Sequence, residues 1–242
     1  MGGQFRKYAG ASRGNGPSPI LWNQIPAEVV AGVEPTKGFM IFDDFLGIPQ
    51  STTAYNGYTV TNTNGTLVTA QEEGGALTLT VAGADNDLIQ MQSSEAFFVD
   101  ADSVLIAEAR VKMVDVLQQD VLFGLSITDT SIGAGVPTDL IGLGLEDGSA
   151  NLVYICSKDS GGSYTDTGDD AVAATYVRLG FKVTREERVD FYVDGVKTAS
   201  VTTGLPNDEQ LALSLSNMAG EASANNLTVD WMYAAQVYDD AR

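Results

Sequence analysis

The chain of 242 residues has no histidine, a single cysteine and only 13 basic residues against 32 acidic ones. Without histidine there is no imidazole for a Ser-His-Asp or Cys-His arrangement, none to ligate a metal, and no general base whose unperturbed pKa lies near neutrality. The lone thiol, Cys156, excludes an intrachain disulfide and any multi-thiolate metal site. Its setting in NLVYICS reads as one more small apolar side chain on a strand. No apolar run reaches the length of about eighteen residues that a membrane span needs, and Met1-Gly2-Gly3 leads into polar sequence, so neither a span nor a signal peptide is expected. Helical periodicity is nearly missing too: only QIPAEVVAGV and DDAVAAT lean that way, both too short for independent helices.

The shortage of cations is uneven. Residues 1–37 carry Arg6, Lys7, Arg13 and Lys37 against Glu28 and Glu34, a formal +2, which leaves −21 of the total −19 on the rest. Between Gly38 and Ala109 there is not one Lys or Arg. Such a body repels the phosphate backbone, so direct nucleic-acid binding is not expected, and nothing points to a membrane partner.

What the chain does have is two-residue alternation. In ALTLTV, Leu77, Leu79 and Val81 share a face; in SVLIAEARVKM, Leu105, Ala107, Ala109, Val111 and Met113 do. VLFGLSIT, TYVRLGFKV, LALSLSN and NLTVDWMYAAQ repeat the pattern, and RVDFYVDGVKTAS reads as a hairpin turned at Asp194-Gly195. Half-wet strands without helical crossovers call for two packed antiparallel sheets, an all-β sandwich over residues 38–242. Its expected inward side chains include Leu79, Val111, Phe123, Leu179, Phe181, Phe191, Val193, Leu213 and Trp231. Residues 1–37 look different, with Pro17, Pro19, Pro26 and Pro35 and no sustained period, and read as an extended N-terminal arm. Phe5, Arg6, Lys7, Tyr8, Arg13 and Trp22 are its candidate partner-binding residues, aromatic anchors beside cations that suit an acidic, partly apolar surface.

Chemistry is harder to find. The glycine-rich stretches GIPQSTTAYNGY and SIGAGVPTDLIGLG lack the residues of a phosphate loop. No strand presents carboxylates two apart in a Glu-x-Asp-x-Glu row: Arg188 follows Glu186, Asp190 comes next, and Glu108 is succeeded by Arg110 and Lys112. On these grounds the chain reads as non-enzymatic, with no cofactor required. A structural calcium ion is the one cofactor the residues suggest, with Asp85, Asn86 and Asp87 as oxygen donors between two strands; Asp166, Asp169 and Asp170 form a second acidic cluster. Tyr55, Tyr58, Tyr154, Tyr164 and Tyr176 are candidates for a sugar platform if the fold brings them together.

FDDFLG at 42–47, VDFYVDGVKT, the Leu205-Pro206 step, LALSLSN and the closing NLTVDWMYAAQ strand resemble the concanavalin A-like jelly rolls, and more narrowly the laminin-G-like domains of tailed-phage structural proteins. That resemblance implies a two-sheet antiparallel jelly roll whose last strand returns beside the first. It also implies a virion structural protein, made in the host cytoplasm and decorating the capsid surface, with the major capsid protein or neighbouring virion subunits as partners and a trimer as the expected homo-oligomer. The alternative reading is a carbohydrate-binding adhesin module of a tail or fibre.

Overall fold

Alternation at a period of two buries one face of each strand only if a second sheet covers it, and the chain meets that requirement with two antiparallel sheets. The computed structural model describes residues 15–239 apart from 48, 56, 71 and 222. Strands are numbered here in chain order. The eight-stranded sheet runs β13 (Val196–Val201), β12 (Arg188–Val193), β11 (Tyr176–Thr184), β6 (Ser103–Met113), β15 (Asn225–Tyr238), β4 (Leu77–Val81) and β3 (Gly65–Thr69), with β1 (Gly38–Asp43) also paired to β15. Facing it are β10 (Thr165–Asp170), β9 (Asn151–Ser157), β8 (Leu140–Leu145), β7 (Gln119–Ser126), β14 (Ala212–Ala219), β5 (Leu88–Gln92) and β2 (Thr59–Thr63), seven strands. First and last strands do meet, with Phe42 opposite Tyr233. The expected hairpin is β12–β13, and Asp194 and Gly195 at its turn both have positive φ, 49° and 79°. The jelly-roll architecture is therefore as the sequence implied.

Leu79, Val111, Phe123, Leu179, Phe181, Phe191, Val193 and Leu213 all lie in the core between the sheets. Phe181 is within 6.4 Å of Phe123 and 6.3 Å of Phe191, ring to ring, which ties the two layers together. Trp231 is the correction. Val229 pairs with Val111 and Trp231 with Arg110, so Asp230 is an extra residue in β15, a bulge whose carboxylate pairs with Arg110 at 2.5 Å. One extra residue flips every later side chain. Met232 and Ala234 enter the core instead, and Trp231, Tyr233 and Ala235 emerge on the outer face.

That outer face is covered by the N-terminal segment. Residues 15–37 lie on it with two short helical turns, α1 (Pro19–Trp22) and α2 (Ala27–Val30), and bury Leu21, Ile25 and Val29 against Ile106, Tyr192, Trp231, Tyr233 and Ala235. Pro19 begins α1, where its missing N–H costs nothing. Glu108, read as a solvated strand residue, is buried beneath this cover and accepts the Ser18 N–H at 2.8 Å and the Tyr233 hydroxyl at 3.3 Å. Burial raises its pKa, against the hydrogen bonds from Ser18. The acidic stretch 165–170 is also more regular than its sequence suggests: it forms edge strand β10, which has no apolar face because both sides are largely wet.

Candidate functional site

The outer face of the seven-stranded sheet is built differently. Its register sets Leu88, Met218 and Asp120 side by side, with Glu146, the residue after β8, next to Asp120. The next tier is Gln90, Ser216, Leu122 and Gly144, and the one after is Gln92, Ser214, Gly124 and Gly142. Three glycines on adjacent strands leave the middle of this face without side chains.

At the Asp120 end lies a cleft of about 240 Å³ whose lining includes Asn86, Asp120, Leu122, Gly133, Gly135, Glu146, Asp147, Tyr164, Met218 and Gly220. Its floor is strand, and its walls are the tip of the β7–β8 loop and Tyr164, whose hydroxyl donates to the Gly135 carbonyl at 3.2 Å. No Lys or Arg among the described residues lines it. Asp120 accepts the Asp147 N–H at 3.0 Å. Burial pushes the Asp120 carboxyl up to about 6, with the charges of Asp147, Glu146 and Asp85 adding to the rise and the Asp147 N–H opposing it. Glu146 is also raised, by burial and then by Asp147. Tyr164 is raised by burial and by the same two acids, so it remains a neutral phenol. Gly220 is required by packing: a Cβ there would fall 2.2 Å from that of Asp147. Chemically, the cleft offers carboxylate and amide acceptors, one carboxyl able to hold a proton near neutral pH, and an aromatic wall.

The residues singled out from sequence are scattered by comparison. Phe5, Arg6, Lys7, Tyr8 and Arg13 lie outside the described residues. Trp22 packs edge-on against Tyr233 at 5.1 Å and against Phe42 at 5.9 Å, engaged within its own chain. Asp85 and Asn86 are exposed in the β4–β5 turn, and Asn86 reaches the cleft rim with φ 64°. Asp87 is buried and both of its oxygens are used, one by Asn64 Nδ2 at 2.9 Å and the other by the Ala84 N–H at 3.0 Å. Among the described residues no three Asp, Glu or Cys side chains converge as a metal site. Of the tyrosines only Tyr164 reaches the cleft. Tyr154 packs on Phe191 in the interior, Tyr176 lies on the other sheet beneath Arg110, and Tyr55 and Tyr58 pair elsewhere. Asp190 is held by Lys197 at 2.7 Å and Arg188 at 3.1 Å.

Sequence reasoning missed Asp120 and Glu146 because it sought acids two apart on one strand, whereas these two meet across the β7–β8 hairpin. A signal was present: QDVLFGLS and IGLGLE place glycines where outward polar side chains belong, and each carries one acid in the same outward series.

No family model and no curated protein matches this chain. Among solved structures it is similar to a protein of unknown function from Shewanella oneidensis MR-1, at 16% identity and TM-score 0.64 over 100% of this chain and 99% of that one. A Bacillus licheniformis β-glucanase aligns at 14% identity and TM-score 0.58, covering 81% and 97%. The carbohydrate recognition domain of Emp46p aligns at 10% and 0.55, covering 83% and 96%. At such identities the likeness shows the fold alone. The neighbours named for an activity are glucan- or glycan-acting or carbohydrate-recognising proteins, not capsid or tail proteins, which overturns the phage assignment and the capsid-decorating role drawn from it. The physical reason is plain: Val189, Phe191 and Val193 are core packing and Asp194-Gly195 is a turn, so VDFYVDGV reports the fold and no particular branch of it. The non-enzymatic reading falls with it. Several neighbours are enzymes, and lack of histidine leaves carboxylate chemistry open.

Proposed function

We propose that this chain binds carbohydrate, with the sugar held in the cleft between Asp120, Glu146, Asp147 and Tyr164. The observation that carries the reading is the cleft's lining: hydroxyl-accepting carboxylates and the Asn86 amide beside an aromatic side chain, with no cation among the described lining residues to neutralise the acids. A few convergent polar groups beside an aromatic surface suit a ligand rich in hydroxyls. The fold supports the reading, since it is shared with the β-glucanase and the carbohydrate recognition domain. A glycan array with the full chain, followed by calorimetric titration of the hits, tests it. Asp120→Ala and Tyr164→Ala should each weaken binding by about tenfold, or 1.4 kcal/mol. An empty array, or hits indifferent to both substitutions, would overturn it.

One observation favours a second reading, glycan cleavage in the same cleft: Asp120 keeps a proton up to a pH of about 6 beside a second carboxylate, Glu146. A proton-bearing acid next to an ionisable one is the division of labour that glycoside hydrolysis uses. Sustained product release from a polysaccharide panel, abolished by Asp120→Asn, is the result that would establish it. No release above the level of the Asp120→Asn variant would leave binding alone.

A further inference from the structure

We propose that the loop joining β7 and β8, residues 127–139, makes the cleft a receptor for glycan ends and short oligosaccharides and bars the middle of a polymer. The inference rests on the carbohydrate reading above and specifies the class of ligand. A polymer chain bound along its length needs an open path over the sheet on both sides of the bound ring. Here the path is filled. The loop leaves β7 at the far end of the sheet, folds back over the glycine-lined centre, and buries Ile132 against Leu122, Leu140 and Ile155. Its tip, Gly133 to Gly135, then stands as a wall of the cleft, and Tyr164 forms another. The exposed rim at Asn86 and Asp147 is left as the way in. The remaining volume, about 240 Å³, lies under the roughly 300–1,000 Å³ of pockets that hold drug-sized ligands.

The loop is latched in this position by side chains of the sheet it covers. Gln92 accepts the Asp129 N–H at 3.1 Å and donates to the Ile127 carbonyl at 3.0 Å. Gln90 accepts the Ile132 N–H at 2.9 Å and donates to the Asp129 carbonyl. Glu95 takes both the N–H and the hydroxyl of Thr128, at 2.8 and 2.6 Å. Gln90 and Gln92 are buried, so lifting the loop would break the hydrogen bonds that now satisfy both amides and would uncover Ile132. The closed loop is thus part of the site's shape, with Gln90, Gln92 and Ile132 as specificity-determining residues.

Two measurements on the full chain decide the matter. Hydrogen exchange should show the Asp129 and Ile132 amides strongly protected in the unliganded protein; exchange at the rate of an unstructured peptide would overturn the inference whatever the ligand. Binding is then compared between β-1,3-1,4-glucan and the oligosaccharides cut from it, and between a mucin and its released O-glycans. Capacity per unit mass should rise with the number of chain ends. A variant with residues 129–136 replaced by two glycines should gain about tenfold in affinity for intact polymer, and Gln90→Ala with Gln92→Ala, which unlatches the loop at full length, should move in the same direction. Capacity that does not change on digestion would overturn the inference while the carbohydrate reading stands. If neither polymers nor fragments bind, that reading falls and the inference with it.

Discussion

The two outer faces of this sandwich are both covered, but by opposite means. On the eight-stranded sheet the cover is apolar: Leu21, Ile25 and Val29 from the N-terminal segment sit on Trp231, Tyr233 and Ile106, with buried Glu108 satisfied by Ser18 and Tyr233. On the seven-stranded sheet the cover is a loop held largely by side-chain amides, and it stops short, leaving a cleft where Asp120, Glu146 and Asp147 meet Tyr164. An apolar cover gains free energy from the area it hides and has reason to close completely. A hydrogen-bonded cover gains from geometry at a few points and can stop wherever its partners stop. The acids of the cleft have no Lys or Arg beside them among the described lining residues, whereas on the other face Arg110 meets Asp230 and Lys112 meets Glu72.

The largest effect should come from removing the apolar cover. A variant beginning at Gly38 loses three buried aliphatic side chains, each worth about 1.5 to 3 kcal/mol, and uncovers Trp231 and Tyr233. It should unfold many degrees lower and self-associate, as read by thermal melts and gel filtration. An unchanged Tm would show that the apolar cover adds nothing to stability.

Next is Phe191, beneath both faces. Phe191→Ala should cost about 3 to 5 kcal/mol in urea unfolding, since the ring is fully buried against Phe181 and Tyr154. Both covers should be lost in one transition; two transitions would mean that the faces unfold independently.

The polar cover should yield less. Gln90→Ala strands the Ile132 N–H and the Asp129 carbonyl, a loss of about 1 to 3 kcal/mol, and should speed hydrogen exchange in residues 127–139 while leaving the N-terminal cover protected. Equal loss of protection on both faces would refute the separation.

The smallest effect is a pH slope. Asp120 titrates at about 6 in the folded protein against 3.8 for the free side chain, so the folded state holds the extra proton between those values. Its contribution to stability is therefore greatest below pH ~4, declines as pH rises to ~6, and is flat above. Asp120→Asn should remove that part of the slope in denaturation midpoints measured from pH 4 to 7; an unaltered slope would assign it to the other carboxyls raised by burial, Glu108, Asp43, Asp139, Glu146 and Asp230.

Legibility followed the range of the interactions. Strands with one apolar face were readable because inward and outward positions alternate locally, and the Asp194-Gly195 turn carried its own signal. Strand β10 was not readable, being wet on both sides, and Trp231 was misplaced because a single bulge at Asp230 reverses the alternation without marking the sequence. The calcium candidates were chosen for adjacency in the chain, yet Asp87 spends its oxygens on Asn64 and Ala84 while Asn86 alone of the three turns up at the cleft.

By itself the sequence determined a two-sheet antiparallel sandwich, the polarity of each central strand and the absence of imidazole chemistry, because each depends on residue type at a spacing of one or two. Tertiary structure decided where function can reside. The cleft draws on the β4–β5 turn, the β7–β8 hairpin and its loop, Tyr164 beside β10 and the end of β14, segments that come together only when the seven strands are aligned in register. Register is set by the whole buried face, and no local pattern encodes which distant acids it will bring side by side.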